Sequence, residues 1–326
     1  MKFFGRRHFL ALAGSLAFCI SSGAAAADAF PSKQIKILVG YSAGGAVDAI
    51  ARSVGQRMAA TLGQPVIVEN KPGAGTNIAV KALIASPPDG YTLLLAANAL
   101  AVNPSLFQPA PYDLQRDLTP VAMVGRVPVV LAVREASEIK TLQQLVATAK
   151  AKPGSITVAT PGNGSTPHLA IELFQHTAGL SMRHVPYKGG AQALTDTLGG
   201  HVEVVAVNAL EVLPLAKAGT LRVLAVMSPE RSSVLPGVPT VAESGYPGFE
   251  ASVWYGFVAP AGLPKPILAK LHETVQKALQ SPEVRAQLTA AGGTTLSGSP
   301  EDFDKLLKSD AARYGKLIRE ANIKLD

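Results

Sequence analysis

Residues 39–52, VGYSAGGAVDAIAR, carry three chemical suggestions at once. Gly40-Tyr41-Ser42-Ala43-Gly44 matches G-x-S-x-G, the turn that presents a nucleophilic serine between a strand and a helix. Against that reading, this is the first strand after the N-terminal segment, and no oxyanion loop has room to precede it. A histidine partner would have to be His168, His176, His184, His201 or His272, and none of these sits in a telling motif. Gly40 and Gly45 stand at Walker A spacing, but Ala46-Val47 occupy the places where Lys and Ser/Thr reach phosphate and magnesium. The nearest approach to a dinucleotide fingerprint, Gly73-Ala74-Gly75, has Ile78 in place of its third glycine. A simpler chemistry remains. The first N–H groups of a helix lack internal partners, and the helix dipole adds partial positive charge there. Gly44 and Gly45 let backbone approach a ligand, and such a cradle holds a carboxylate without a lysine. Asp48, early in the helix, can cap it or hold a bridging water. The competing reading is that Gly44-Gly45 only tightens the strand–helix turn, and this loop alone does not separate the two.

A second stretch repeats the plan. In ITVATPGNGSTPHLAIEL (156–173) a strand ends at Thr160 and a helix starts near Pro167. Gly162 and Gly164 open the backbone between them. Asn163, Ser165 and Thr166 add side-chain donors, and one of the latter two can cap the helix. His168 falls in its first turn, as a ligand contact or as a capping or packing histidine. Two helix N-termini beside glycine loops suggest an anion pinned between two lobes. Charge-assisted hydrogen bonds contribute about 1.5–3 kcal/mol each, so four supply much of the ~8 kcal/mol of a micromolar site. Other candidates are weaker. Lys188, in VPYKGG (185–190), reads as a Schiff-base lysine or as part of a solvated loop or inter-lobe tether. Asp48, Asp89, Asp113 and Asp117 fall in caps and turns and are not paired for acid–base work. No His/Asp cluster has metal-ligand spacing, so neither a metal nor a cofactor is expected.

The elements that must position these loops follow from hydrophobic periodicity. Strand patterns at 35–40, 65–70 and 91–97 alternate with helix patterns at 46–63 and 78–86, an order that implies a parallel, doubly wound sheet. A long β-prone stretch at 120–134 suits a crossing between lobes. A second β/α series follows: helix 141–154, strand 155–160, helix 168–179, strand 182–187, helix 191–200, strand 202–208, helix 210–219 and strand 221–227. Residues 228–249 read as a loop and 252–260 as a return strand. Two helices then close the chain. One begins near Lys265 and is stopped by Ser281-Pro282; the other is capped by Ser299 with Pro300 at its first position.

Composition bounds the function classes. Of the 326 residues 48% are apolar and 16% charged, which suits packed domains and excludes a disordered chain. Lys2, Arg6 and Arg7, the apolar run FLALAGSLAFCI (9–20) and the small residues after it predict a secretory signal over 1–27, cleaved near Ala27 or Ala29. GRRHFLALAG (5–14) is also similar to a twin-arginine signal, though Gly5 and Ala11 depart from the fuller pattern. Phe18 before Cys19 argues against lipidation. The one cysteine lies inside this segment, so disulfide and thiol chemistry are excluded from the mature chain, which fits a periplasmic protein. Cleavage removes three cations and no acid, so the net charge falls from +7 to +4, useful for attracting small anions. No Lys/Arg block marks a nucleic-acid footprint.

The motifs together point further. FPSKQIKILVGYSAGGAVDAIAR, GQPVIVENKPGAGTNIAV, SPPDGYTLLLA, NPSLF, PYDLQRDLTPVAMV, ATPGNGSTPHLAIELF, HVPYKGGAQALTDTLGGHVEV, LRVLAV and GVPTVAESGYPGFEASVWYGFVAPAG span essentially the whole mature chain. In these the chain resembles the Bug family, the extracytoplasmic solute receptors of tripartite tricarboxylate transporters. The resemblance implies an α/β, two-lobed periplasmic binding protein-like (flytrap) fold, each lobe a doubly wound, mainly parallel sheet with flanking helices. It implies a first lobe of residues 28–127 plus 253–326 and a second of 128–252. It implies a monomeric, non-enzymatic receptor that captures a small organic carboxylate and delivers it to membrane subunits of the transporter. A secreted serine hydrolase using Ser42, and a carboxylate sensor without a transport role, stay as alternatives. By the same resemblance Tyr41, Ser42, Ala43, Gly44, Gly45 and Asp48, with Gly162, Asn163, Gly164, Ser165 and Thr166, grip a ligand carboxylate largely through backbone and ordered water, which leaves His168 as the candidate contact read from its helix turn above. Asn98 and the pair Val207-Asn208 line the cleft. Two departures stand out. Ser42-Ala43 replaces the family's usual Pro-Pro, and Val207 replaces its common Asp. The lost acid implies a ligand whose far end is less polar or less cationic than an amino acid.

Overall fold

The computed structural model describes residues 30–320 and 323, apart from Lys188 and Ala291. The expected signal segment and Lys188 therefore lie outside the described residues. The chain opens with β1 (Ile35–Val39), α1 (Ala46–Leu62), β2 (Val66–Asn70), α2 (Asn77–Ile84), β3 (Thr92–Ala96), α3 (Ala99–Leu106) and α4 (Leu114–Asp117). It continues through β4 (Leu118–Arg134), α5 (Leu142–Ala151), β5 (Thr157–Thr160), α6 (Thr166–Ala178), β6 (Arg183–Pro186), α7 (Gly190–Gly199), β7 (Val204–Asn208), α8 (Ala209–Lys217) and β8 (Leu221–Val226). After a long loop come β9 (Ser252–Pro260), α9 (Lys265–Leu279), α10 (Pro282–Ala290), β10 (Thr294–Thr295) and α11 (Pro300–Glu320).

The β/α alternation forms because each helix buries one stripe on a sheet. In α1, Val47, Ile50, Ala51, Val54 and Met58 are all buried, at the spacing of a core-facing helix. Gly55 lets that helix approach β1 closely, since a Cβ there would lie 3.2 Å from Ile37 Cδ1 and 3.3 Å from Val66 Cγ1. Gly63 stops the helix at φ 67°, its N–H bonded to Ala59 O.

Four elements escaped the sequence reading, one of them α4, a single turn whose N-cap Asp113 accepts from Gln115 N and Arg116 N. α3 contains Pro104, which removes the N–H that would bond Leu100 O. The helix survives because Tyr112 Oη donates to that carbonyl at 3.0 Å. Ser281-Pro282 does not only stop a helix; Ser281 Oγ accepts from Val284 N at 3.3 Å and starts α10. β10 is two residues long, too short to leave a periodic signal.

The strands run in the order β2-β1-β3-β9-β4-β7-β5-β6, with β10 and β8 also on β4. β4 is the spine. From Leu118 to Pro128 it pairs antiparallel with β9, and from Val129 to Arg134 it pairs antiparallel with β7 and β8. β3 is antiparallel to β9 and parallel to β1, which is parallel to β2, so β1, β2 and β3 run the same way as β4. β5 and β6 are parallel to β7, so these three run against it. The carboxyl ends of both parallel sets therefore point at the same place, the Pro128–Val129 handover. One apolar cluster ties the two halves together beside it: Val102 and Leu106 of α3, Leu169 of α6, and Tyr314, Leu317 and Ile318 of α11.

Candidate ligand-binding site

Open α/β sheets place ligands at the carboxyl ends of their strands. Here two such ends converge, and the loops that follow β1, β3, β5 and β7 carry the residues singled out from the sequence. The β1–α1 loop is the open one. Ser42, Ala43, Gly44 and Gly45 are exposed, and Tyr41 is half-buried. Gly44 adopts φ +84°, a conformation that favours glycine. Gly45 is the N-cap of α1 and has no side-chain capping bond, so the N–H groups of the first turn meet no cap. Burial pushes the Tyr41 phenol up to about 12, and it stays neutral.

Asp48 fastens this loop rather than facing a ligand. Its carboxylate is 4% exposed. Oδ2 accepts from Gly44 N at 2.9 Å and from Arg52 Nε at 3.0 Å, and Oδ1 accepts from Asn70 Nδ2 at 3.0 Å. The Arg52 bond, with help from the Gly44 N–H and Asn70, lowers the Asp48 pKa to about 2 against the opposing effect of burial. The same Asn70 amide also donates to Tyr41 O at 3.0 Å. Arg52 and Asn70 were absent from the sequence-based set. Arg52 was legible at i+4 from Asp48; Asn70 arrives only through the parallel register that places it beside Val39.

The second loop is tighter. Ser165, not Thr166, caps α6: its Oγ accepts from His168 N at 3.3 Å and donates to Gly162 O at 2.7 Å. Thr166 is buried and Asn163 half-buried. Gly162 (φ +131°) and Gly164 (φ +74°) are both positions that favour glycine, and a Cβ at 164 would lie 2.8 Å from Leu106 Cδ2 of α3. His168 is 5% exposed. Its Nδ1 accepts from Gly164 N at 3.1 Å, so the ring carries its proton on Nε2, which faces Glu172 Oε1 at 3.7 Å. The ring stacks on His184 at 4.0 Å, and His184 Nε2 lies 2.6 Å from Thr160 Oγ1. Burial, and then the neighbouring His184, push the His168 pKa down to about 3. His168 is thus a neutral strut of the loop, and the stack with His184 was not foreseen.

Asn98 and the β7 end sit at the handover itself. Asn98 is 1% exposed. Its Oδ1 accepts from Trp254 N at 3.0 Å, and its Nδ2 donates to Ser252 O and Asp310 Oδ2, both at 3.2 Å. That side chain joins β3, β9 and α11. Val207 is fully buried in an apolar cluster with Val130, Ala193 and Val212, so its side chain packs within the core. Asn208 occupies the N-cap position of α8 without a side-chain capping bond and pairs in register with Val129; its Nδ2 donates to Glu211 Oε1 at 3.3 Å. Glu211, another residue the sequence reading passed over, is half-buried, and burial raises its pKa.

The hydrolase arrangement does not assemble. No histidine among the described residues hydrogen-bonds Ser42: His168 and His184 are engaged as above, and His272 Nδ1 lies 2.9 Å from Val121 O. Among the described residues no group of three or more His, Cys, Asp or Glu is placed to hold a metal ion, and no helix is long and apolar enough to cross a membrane.

Known proteins resemble this chain in sequence and in fold. Residues 50–323 match the family described as the tripartite tricarboxylate transporter family receptor. Protein BugT of Bordetella pertussis is 39% identical over 313 residues, covering 94% of this chain and 96% of that one. An R. palustris protein solved with adipate is 32% identical with a TM-score of 0.82, covering 90% of this chain and 99% of that one. MatC from Rhodopseudomonas palustris, solved with bound malate, is 31% identical with a TM-score of 0.78, covering 89% and 100%. These are solute-binding receptors rather than enzymes, and their fold is the two-lobed periplasmic binding protein fold. The chain belongs to the tripartite tricarboxylate transporter receptor family and is a periplasmic solute-binding receptor.

Proposed function

We propose that this receptor captures a small organic carboxylate between its two lobes and delivers it to the membrane subunits of a tripartite tricarboxylate transporter. The observation that carries the reading is the convergence at one handover of two sets of strand carboxyl ends, each followed by a glycine loop and a helix N-terminus. The uncapped first turn of α1, reached through Tyr41 to Gly45, supplies backbone donors. The GNGST loop, Gly162 to Thr166, faces it with His168 as its internal support. Asp48 holds the first loop in shape. Asn98 braces the handover from behind, and Asn208 stands at its second-lobe edge. Malate and adipate, bound by the two relatives, are acids of the expected class. Lobes of 28–127 plus 253–326 and of 128–252 accord with the change of partner along β4. The receptor works as a monomer, exported by a signal over 1–27 that is cleaved near Ala27 or Ala29.

The test is a thermal shift of the mature protein against mono-, di- and tricarboxylates, each paired with its neutral amide. Ligand at a hundredfold its Kd stabilises by about 2.7 kcal/mol, a shift of a few degrees for a chain of this size. A shift with an acid and none with its amide is expected. Equal shifts with both, or none with any acid, would overturn the reading.

A further inference from the structure

Tyr255 is a buried phenol whose hydroxyl has no hydrogen-bond partner among the described residues. It stands on β9 in register with Gly125 of β4, and the next residue, Gly256, is opposite Ala96, the last residue of β3. Tyr255 therefore lies one step past the carboxyl end of β3, level with the start of the loops that follow the parallel strands. Its ring packs in the apolar cluster that holds Val39, Leu95 and Phe257, and Tyr41 closes on the same cluster. Only 1% of the residue is exposed. Burial, and then the nearby Tyr41 and Glu211, push its pKa well above that of an ordinary phenol, so the hydroxyl keeps its proton and can donate. Tyr41 follows β1 and Glu211 lies in the first turn of α8, so the phenol is within reach of residues from both sides of the handover.

Core packing accounts for the ring and not for its oxygen. A phenylalanine would fill nearly the same volume without bringing an unpaired polar group into the core, and buried tyrosines usually find a partner for theirs. The partner has to come from the cleft side, where Tyr41 and Glu211 stand. One neutral donor suits one neutral oxygen. A carboxylate is held best by charge-assisted bonds from several donors, and the two glycine loops offer backbone N–H groups for that. We infer that Tyr255 is a specificity residue of this site, and that its hydroxyl bonds a hydroxyl or keto oxygen on the carbon chain of the ligand. The inference rests on the carboxylate-receptor reading above and adds the class of acid, one oxygenated along its chain.

The test titrates the mature protein with pairs of acids that differ by one oxygen: malate and succinate, 3-hydroxybutyrate and butyrate, 2-oxoglutarate and glutarate. In at least one pair the oxygenated acid should bind about tenfold more tightly than its parent, since the parent leaves the phenol unpaired. Tyr255→Phe removes one oxygen and keeps the ring, so the free protein should melt no lower than wild type, while the preference within that pair shrinks to about twofold or less. Three results would overturn the inference and leave the receptor reading standing. They are parents that bind as tightly as their partners in all three pairs, a preference that Tyr255→Phe leaves intact, and a clear drop in the melting temperature of the free variant, which would show the hydroxyl already bonded without ligand. No binding by any acid would overturn both.

Discussion

Lowering the pH from 7 to 5 should destabilise this receptor through His168 in particular. In the folded chain the ring is buried, stacked on His184, and uses Nδ1 as an acceptor for the Gly164 N–H, so its pKa is pushed down to about 3. In the unfolded chain a histidine titrates near 6.5. Between those values the unfolded state binds a proton that the folded state refuses, so stability falls as the pH drops. At pH 5 the loss is about 2 kcal/mol relative to pH 7, and at pH 4 about 3 kcal/mol. The burial-raised carboxyls Glu172 and Glu211 act in the opposite direction, because the folded state takes up their protons first. The clean readout is therefore a difference between proteins. His168→Asn keeps an acceptor for Gly164 N–H but does not titrate. Urea denaturation at pH 7, 6 and 5 should give wild type a loss about 2 kcal/mol larger than the variant's, even though the variant starts out less stable. Parallel losses in the two proteins would refute a neutral, buried His168.

Four further substitutions probe the scaffold around the site. Gly164→Ala forces a side chain into positive φ and against Leu106 Cδ2, and should cost about 2–4 kcal/mol, whereas Gly154→Ala, at φ +75° with open space around it, should cost only the backbone part, about 1–2 kcal/mol; equal losses in urea melts would show that the second loop does not press on α3. Tyr112→Phe leaves Leu100 O without the donor that replaces Pro104's missing N–H, and should cost about 1–3 kcal/mol by the same measurement. Asp48→Asn should cost about 1–2 kcal/mol at pH 7, a figure reduced because half-exposed Arg52 is screened by water. The Asp48 contribution is present above pH 3.8 and fades as the pH falls towards about 2, so an unchanged acid limb in the variant would count against it.

The β/α order was readable because each element announces itself locally. The buried stripe of α1 and its stop at Gly63 are visible in seventeen consecutive residues. α3 was not readable, because the group that rescues its proline, the Tyr112 hydroxyl, lies outside the helix. The same divide runs through the site. The glycine loops and the Asp48–Arg52 spacing are short-range patterns. The stack of His168 on His184 depends on β6 lying parallel to β5, with Val158 opposite His184, which no local pattern specifies. Glu211 reads from sequence as an ordinary first-turn acid, and its close packing against Gly190, in the preceding helix, appears only in the fold. Val207 misled for the converse reason: a residue beside a site residue on a strand points to the opposite face.

β4 also sets a timetable. The second half of its length needs only β7 and β8, both complete by Val226, whereas the first half needs β9, and β3 meets β9 through Ala96 and Gly256. At about 5–20 residues per second a ribosome takes roughly 8–30 s to travel between those two residues. Throughout that interval the edge of β3 that β9 covers in the finished fold has no partner strand to pair with, and an unpaired apolar edge is a template for aggregation.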